Sequence, residues 1–262
     1  MAQLTLTNTD DNGVTTLSIN RPDKHNAFNA DIISELTQKL VKLDKHEETR
    51  IIVLTGEGKS FSSGADLNWM KSMVNYDEQR NYQDSLALAE LMYTLYNNSK
   101  PTIAKINGSA FGGALGLISC CDLAVSCPDA IFCFSEVKLG IVPAVISPYI
   151  IAAIGVRHAN RLFLTGETFS AAMAMGLGLI NHVISKEEID EYVATVTDKL
   201  LLGGPLAQSE VKGLSRSIIN IDESIKDSTA KLIARLRVSE EGQEGLNAFL
   251  EKRNPAWVKS IK

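Results

Sequence analysis

Two segments rich in small residues carry the clearest chemical signal in this sequence. "FSSGADLNWM" (61–70) and "NGSAFGGALG" (107–116) each follow an apolar, strand-like run and lead into a helix-like pattern. Glycine lets the backbone approach a ligand closely, and the first turn of a helix presents free N–H groups at the positive end of its dipole. Two such turns facing each other could donate two hydrogen bonds to one carbonyl oxygen, forming an oxyanion hole. Tight strand–helix packing would explain either segment taken alone.

Other catalytic patterns are incomplete. "TGEGKS" (55–60) has Val53 where a phosphate-binding loop needs glycine, and "GLGLIN" (176–181) lacks the third glycine of a dinucleotide site. There is no G-x-S-x-G and the four histidines are scattered, which disfavours a Ser-His-Asp hydrolase. The cysteines lie in apolar segments without a C-x-x-C pair, so we expect them to be buried, reduced and free of metal; they are Cys120, Cys121, Cys127 and Cys133.

Composition excludes some classes of partner. The chain has 262 residues and a formal net charge of −5, without a cluster of basic and aromatic residues, so we expect no nucleic-acid partner. No apolar run reaches 18 residues, and we expect no membrane span. The first residues lack the features of a signal or transit peptide, which predicts a cytoplasmic protein.

The order of the predicted elements indicates an α/β fold. "LTLTNTD" and "VTTLSIN" flank a "DDNG" turn and predict a hairpin, and residues 29–48 predict an amphipathic helix capped by Asn29. Strand-like "RIIVLTG" and "PTIAKING" flank a predicted polar helix at 77–98, and "LAVSC" and "IFCFSE" follow the second small-residue segment. Beyond Lys186 the sequence predicts helices, at 186–202, 205–219, 222–238 and 240–251.

These segments together resemble the enoyl-CoA hydratase/isomerase (crotonase) superfamily over nearly the whole chain. "INRPDKHNAFN" (19–29) resembles the loop over the coenzyme A nucleotide, "SSGADL" and "NGSAFGGALGLISCCD" the two oxyanion turns, and "FSEVKLGIVP" (134–143) the catalytic stretch. "LTGETFSAAMAMGLGLINHVI" (164–184) and "FLEKRNPAW" (249–257) resemble later parts of that family. The resemblance implies a crotonase-like spiral of ββα turns over 1–200, a helical trimerisation region over 201–262, and trimers that can pair into hexamers.

The resemblance also implies roles for individual residues. The backbone N–H groups of Ala65 and Gly113 would be the oxyanion donors and Glu136 the acid/base. Contacts to substrate or coenzyme A are implied for Lys24, Ala27, Ala65, Asp66, Leu67, Asn68, Gly113 and Lys252, with Arg253 as an alternative to Lys252. No metal or cofactor is implied, since coenzyme A is part of the acyl-CoA substrate. Asp66 is expected to cap a helix, Asp122 to be structural, and Trp69 to line or support the acyl side.

One carboxylate of the family pattern is absent. Family hydratases typically place two glutamates across the substrate double bond, and here the first position holds Gly116. A syn addition permits Glu136 alone to take a proton from water and return it to C2, unless a water or another side chain helps. A Δ3-Δ2-enoyl-CoA isomerase, which needs one carboxylate, is the alternative.

"GADLNWM" with "SEVKLGIVPAVISPYI" is similar to the methylglutaconyl-CoA and carboxygeranoyl-CoA hydratases of leucine and acyclic terpene catabolism, a subgroup in which the first glutamate is often absent. We therefore predict a hydratase acting on a branched, 3-methylglutaconyl-like acyl-CoA. The isomerase and a short-chain enoyl-CoA hydratase of fatty-acid β-oxidation stay as alternatives. A non-catalytic scaffold or RNA-binding role is disfavoured by the retained Glu136 and by the net charge.

Overall fold

The computed structural model of the protein describes residues 3–217, 231–233, 235–237 and 239–258. The strands are β1 (Thr5–Thr9), β2 (Val14–Ile19), β3 (Ile51–Gly56), β4 (Thr102–Ile106), β5 (Ala110–Phe111), β6 (Leu123–Ser126), β7 (Ile131–Cys133), β8 (Thr168–Ser170) and β9 (His182–Val183). The helices are α1 (Ala30–Lys45), α2 (Leu67–Met73), α3 (Glu78–Tyr96), α4 (Gly113–Cys120), α5 (Ser147–Thr165), α6 (Ala171–Leu177), α7 (Ile189–Leu201), α8 (Pro205–Ser217) and α9 (Glu240–Glu251), with 3₁₀ turns at Pro22–Lys24 and Glu136–Leu139.

The strands form two sheets. The larger has the order β1-β2-β3-β4-β6-β9, in which only the predicted β1–β2 hairpin is antiparallel and the other pairs of neighbours are parallel. All six residues of β3 are buried, as expected for a central parallel strand covered on both faces. The smaller sheet has the order β5-β7-β8. It begins in the second small-residue segment and therefore fixes the position of that segment.

Helix α3 packs against both α1 and α4, and α1 also contacts β1 of the larger sheet. Asn29 caps α1 as predicted, accepting a 3.0 Å hydrogen bond from the Ile32 amide. In α3 the buried residues Leu91, Met92 and Leu95 lie in its second half. Helix α4 is buried on nearly every side from Ala114 to Ile118, which is typical of a central helix. Gly113, the first residue of α4, is half-exposed, so the N-terminus of α4 is open to a ligand.

The C-terminal helices attach to the body through charged contacts. On α8, Lys212 lies 2.6 Å from Asp122 and donates a 2.6 Å hydrogen bond to the Lys100 carbonyl, while Arg216 lies 3.2 Å from Asp122. Asp122 also accepts hydrogen bonds from the backbone and side chain of Thr102. These contacts give Asp122 the structural role that was expected of it.

The predicted C-terminal helices are present in part. Helices α7, α8 and α9 correspond to the predictions at 186–202, 205–219 and 240–251, although α7 begins three residues later. Most of the prediction at 222–238 lies outside the described residues, and 231–233 and 235–237 are helical. Phe249 and Leu250 on α9 are 80% and 75% exposed in the single chain. Within the described part of the chain, no helix is both long and apolar enough to span a bilayer.

Candidate active site

The two small-residue turns lie side by side. The Phe111 amide donates a 3.0 Å hydrogen bond to the Ser62 carbonyl, which extends a bridge between Ser62 and Ala110. Gly64 has a φ of +83°, and a Cβ there would lie 2.8 Å from the Phe111 carbonyl oxygen. Only glycine fits so close an approach in that conformation. The predicted juxtaposition of the two turns is therefore present.

The loop at 19–29 closes over the first turn. The Phe28 amide donates to the Gly64 carbonyl and the Asp66 amide donates back to Phe28, both at 2.7 Å. Buried Asn26 donates to the carbonyl of Ser60 at 2.7 Å. Segment 25–28 thus runs parallel to the first turn. Ala65 lies between the two residues bonded to Phe28, and its own N–H has no acceptor in the part of the chain that the structure describes.

The two amides assigned to the oxyanion hole are both available. Neither Ala65 nor Gly113 donates its N–H to another residue in the described ranges. Ala65 is exposed, and Gly113 is half-exposed as the first residue of α4. The dipole of α4 places partial positive charge at Gly113. Gly112, with φ +53°, provides the turn that starts the helix.

Glu136 lies next to the N-terminus of α4. A Cβ on Gly112 would lie 3.3 Å from Glu136 Oε1. The other oxygen, Oε2, is buried and has no hydrogen-bond partner among the described residues. Burial raises the pKa of the Glu136 carboxyl above its ordinary value of 4.5, and a bond from its own backbone amide offsets only part of that rise. Glu136 is therefore the carboxylate of the site that is free to exchange a proton.

Position 116 has no room for a second glutamate. A Cβ on Gly116 would lie 2.3 Å from Ile146 Cγ2 and 3.0 Å from Met92 Sδ. Both side chains are fully buried. The absent family glutamate is thus replaced by packed apolar atoms, and no open space is left in its place.

Asp66 is a helix cap, as expected. It accepts hydrogen bonds from the Asn68 and Trp69 amides at 2.8 and 3.3 Å, and it pairs with Arg21 at 2.9 Å. Burial alone would raise the pKa of Asp66, yet the hydrogen bonds from the start of α2 and from Arg21, with the arginine's charge, hold it below its ordinary value of 3.8. Both oxygens of its carboxylate accept hydrogen bonds from described residues, and its contact with substrate or coenzyme A stays a prediction.

The other residues predicted to contact the substrate or coenzyme A, or to line the acyl side, differ in their exposure. Lys24 is exposed at the end of its 3₁₀ turn, near Ser63 of the first oxyanion turn, whose hydroxyl lies 3.5 Å from the Lys24 carbonyl. Ala27 is buried and its carbonyl accepts a 2.9 Å hydrogen bond from Arg21. Leu67 and Asn68 are exposed at the start of α2, and Trp69 packs half-buried against the core.

The structure distinguishes the two cations of the tail. Lys252 is the exposed C-cap of α9, with φ +56°, and forms no ion pair with a described residue. Arg253 pairs with Glu244 and Glu251, each at 2.6 Å, and this arginine holds the pKa of Glu244 at about 2. No contact among the described residues joins Lys252 to the two turns.

The cysteines match the expectation of burial. Cys120, Cys127 and Cys133 are buried, Cys121 is half-buried, and all four are free thiols. Burial raises the pKa of Cys127 to about 12. No group of three potential metal ligands occurs among the residues that the structure describes.

Sequence reasoning missed Asp84. This residue lies on α3, and its Oδ2 is buried without a hydrogen-bond partner in the described part of the chain. Leu88, four residues later, lies 4.0 Å from the Cβ that Gly113 would carry. The signal in the sequence is that Asp84 lies one helical turn before Leu88, so the two side chains share a face of α3. It was easily overlooked because many other residues of α3 are polar.

Comparisons with known proteins agree with this site. The family described as "Enoyl-CoA hydratase/isomerase" matches residues 9–260. A "Putative enoyl-CoA hydratase" of Thermus thermophilus is 32% identical over 93% of this chain and 97% of its own length, and the "2,3-dehydroadipyl-CoA hydratase" of Escherichia coli is 30% identical over 91% and 92%. The crystal structure of an enoyl-CoA hydratase from Shewanella pealeana superposes with a TM-score of 0.95, at 45% identity over 97% of this chain and 96% of that one.

These likenesses confirm the predicted α/β, crotonase-like fold and the assignment as an enzyme. The match spans both small-residue turns, the Glu136 segment and the tail. The chain belongs to the enoyl-CoA hydratase/isomerase family.

Proposed function

We propose that this enzyme adds water across the 2,3 double bond of an enoyl-CoA thioester, with a branched, 3-methylglutaconyl-like acyl group as its substrate. Membership of the family establishes the hydratase/isomerase class and is consistent with an acyl-CoA substrate. The observation that carries the proposal is the Glu136 carboxyl group: its Oε1 lies beside the N-terminus of α4, and its Oε2 is buried without a partner among the described residues. A buried carboxylate oxygen without a partner implies a ligand that is to be bound there.

The oxyanion hole accounts for activation of the thioester. The amides of Ala65 and Gly113 would donate to the thioester oxygen, which gains negative charge as water adds to C3. Each such donor is worth about 10²–10³ in rate. The dipole of α4 acts in the same direction. Because neither amide has an acceptor among the described residues, the two need no rearrangement before the substrate binds.

Glu136 would transfer the proton. Its carboxylate takes a proton from water while the hydroxyl oxygen bonds to C3, and the π electrons of the double bond move towards the thioester oxygen. The protonated Glu136 then gives this proton to C2, and the thioester carbonyl re-forms. The raised pKa of Glu136 brings its two protonation states closer in free energy, which suits a group that must accept and return one proton. This chemistry needs no metal and no cofactor beyond the coenzyme A of the substrate.

A cation on α3 supports the branched dicarboxylic substrate. Arg80 is exposed near the start of α3, eight residues before Leu88, whose side chain would lie 4.0 Å from a Cβ on Gly113. The Arg80 guanidinium lies 3.9 Å from the centre of the Tyr76 ring and forms no ion pair with a described residue. The distal carboxylate of a methylglutaconyl group would provide the partner that this arginine lacks.

Isomerisation is the second candidate, and the closed position 116 favours it. A Δ3-Δ2-enoyl-CoA isomerase moves one proton between C4 and C2, a task for one carboxylate, and Glu136 is the carboxylate beside the α4 N-terminus. Hydration also requires that a water molecule be held beside C3. The choice between the two reactions therefore depends on whether another group of the pocket binds that water.

Coenzyme A binding and assembly complete the proposal. Exposed Lys24 and Lys252 would meet phosphate groups of the coenzyme, Lys252 in a neighbouring subunit, whereas Arg253 is occupied by its own glutamates. The exposed apolar residues of α9 would be covered in a trimer or a dimer of trimers. The cytoplasmic location stays a prediction from the N-terminal sequence.

A substrate panel tests the reaction. The enzyme is assayed with crotonyl-CoA, 3-methylglutaconyl-CoA and a 3-enoyl-CoA, and water addition is measured separately from migration of the double bond. We expect the highest kcat/KM for hydration of the branched substrate. Migration without hydration would overturn the hydratase proposal in favour of the isomerase, and faster hydration of crotonyl-CoA would overturn the branched acyl group.

A further inference from the structure

Asp84 has a buried carboxylate oxygen that nothing in the described structure explains. Unpartnered buried polar side-chain atoms in the described ranges belong to four residues, and the carboxylates among them are Glu136 and Asp84. An unpaired carboxylate oxygen away from water costs free energy, so such groups in native proteins bind water or a ligand. Asp84 forms no ion pair with a described residue. Its role in folding is therefore not evident.

The register between α3 and α4 places Asp84 relative to the site. A Cβ on Gly116 would meet Met92 at 3.0 Å, and a Cβ on Gly113 would meet Leu88 at 4.0 Å. The two helices thus run in the same direction, since a step of four residues along α3 matches a step of three along α4. Gly113 is the first residue of α4. One turn before Leu88, Asp84 is level with the space beyond the N-terminus of α4.

That space is where the reacting carbons would lie. The free N–H of Gly113 points out of the helix N-terminus, towards the thioester oxygen of the proposed substrate. Four residues of α3 advance about 6 Å, which carries Asp84 past the first turn of α4. The Cα–Cβ bond of a helical residue tilts towards the helix N-terminus, which moves the Asp84 carboxyl further along the acyl group. The Glu136 carboxyl lies beside Gly112, the residue before Gly113, because its Oε1 would be 3.3 Å from a Cβ on Gly112.

We propose that Asp84 is the second catalytic carboxylate of this site and holds the water that adds to C3, in place of a glutamate at position 116. The inference rests on the proposed hydratase function and names the group that function still lacks. A water molecule has two O–H donors, and the described residues include two carboxylate oxygens that are buried without a partner, one on Glu136 and one on Asp84. One water between them satisfies both oxygens.

The reaction then balances without an external base. The O–H directed at Glu136 breaks, its oxygen bonds to C3, and the π electrons move to the thioester oxygen. Glu136 returns that proton to C2. The second O–H stays intact, hydrogen-bonded to Asp84, and becomes the hydroxyl of the product. Both hydrogens and the oxygen of one water are found in the product, and the two carboxylates end in their starting states.

Removal of Asp84 separates hydration from proton exchange. With the panel substrate that wild type hydrates fastest, we expect Asp84→Ala to lower kcat about 10²-fold while KM changes little, because the water is held mainly in the transition state. Exchange of the C2 hydrogens of butyryl-CoA in heavy water should be retained, since it needs Glu136 and the two amides only. Asp84→Glu should restore part of the hydration, and Glu90→Ala, on the exposed side of the same helix, should match wild type.

Each outcome decides the inference. Hydration by Asp84→Ala within about threefold of wild type would overturn it, because a group that positions the attacking water is worth more than that. Equal losses of hydration and exchange in a protein of unchanged thermal stability would also overturn it. If Asp84→Ala unfolds at a lower temperature, the isosteric Asp84→Asn repeats the comparison. Failure of wild type to hydrate any panel substrate would instead overturn the proposed function.

Discussion

Asp66 and Glu136 are two carboxylates of one site with opposite environments. Each begins a helical segment beside one of the two joined turns. The Asp66 carboxylate accepts hydrogen bonds from two amides and from Arg21, and its pKa lies below the ordinary value. Glu136 has a buried oxygen without a partner, and its pKa is raised.

Whether its oxygens have hydrogen-bond partners distinguishes a structural carboxylate from a catalytic one better than its position near the site does. Both residues are acidic; Asp66 follows Ala65 directly in sequence, and the Glu136 carboxyl lies beside Gly112 in space. A carboxylate whose oxygens are already bonded stabilises the turn and has little capacity for proton transfer. One that keeps a free oxygen lowers the stability of the fold and gains the ability to act on a ligand. By the same criterion Asp84 belongs with Glu136.

The strongest test of the comparison is Glu136→Gln. We expect kcat for hydration to fall about 10²–10⁴-fold, because the amide cannot accept and return a proton. Initial rates on the best panel substrate measure this, with exposed Glu187→Gln as the control. Activity within tenfold of wild type would show that the unpartnered oxygen of Glu136 is not the acid/base.

The same variant should gain stability. A raised folded-state pKa means that Glu136 contributes full stability only below its unfolded pKa, near 4.5, and loses it as the pH rises through the folded value. Glu136→Gln carries no charge to desolvate, so its melting temperature should exceed that of wild type at neutral pH. The two curves should converge at acidic pH, where both side chains are neutral.

The second test asks whether position 116 could ever hold the missing carboxylate. Gly116→Ala forces a methyl group against Ile146 and Met92, and overpacking of this kind costs about 1–3 kcal/mol. Urea denaturation measures the loss. Gly213→Ala is the matched control, because a Cβ there meets nothing within 4 Å and the helical alanine should stabilise α8.

A second substitution tests whether the loss of stability comes from a clash with Ile146. Gly116→Ala combined with Ile146→Ala should be less destabilised than the sum of the two single changes, since the smaller side chain at 146 removes the clash. Additive losses would show that the methyl group at position 116 does not clash with Ile146. In that case the absence of a glutamate at 116 has no steric basis.

Much of the fold could be predicted because its signals are local. The cap at Asn29, the hairpin at its "DDNG" turn and the strands that end in glycine depend on residues close together in sequence. The two turns could be paired because each has a recognisable run of small residues. Gly64 and Gly112 show why: their positive φ values demand glycine wherever the turns occur.

The partners of the carboxylates could not be predicted because they are distant in sequence. Arg21 reaches Asp66 across 45 positions, and Ile146 fills the space at Gly116 from the start of α5. Asp84 was invisible for the same reason, since its importance comes from the register of α3 against α4. The sequence shows which groups are present, whereas only the fold shows which of them remain unpaired.

We expect the smallest effect from substitution of Asp66, the carboxylate that is already hydrogen-bonded. Asp66→Ala should lower the free energy of unfolding by about 0.5–2 kcal/mol, the usual cost of removing a helix cap. Because the folded pKa of Asp66 is depressed, its contribution is present above the unfolded pKa, near 3.8, and is lost as the pH falls through the folded value. The stability difference from wild type should therefore shrink below about pH 4, which denaturation at several pH values would reveal.

The control is Asp77→Ala, which removes the cap of α3. Asp77 pairs with no arginine among the described residues, so its removal should cost less. If Asp66→Ala abolished hydration as completely as Glu136→Gln while remaining folded, the distinction between the two carboxylates would be wrong, because a bonded cap would then be taking part in the reaction.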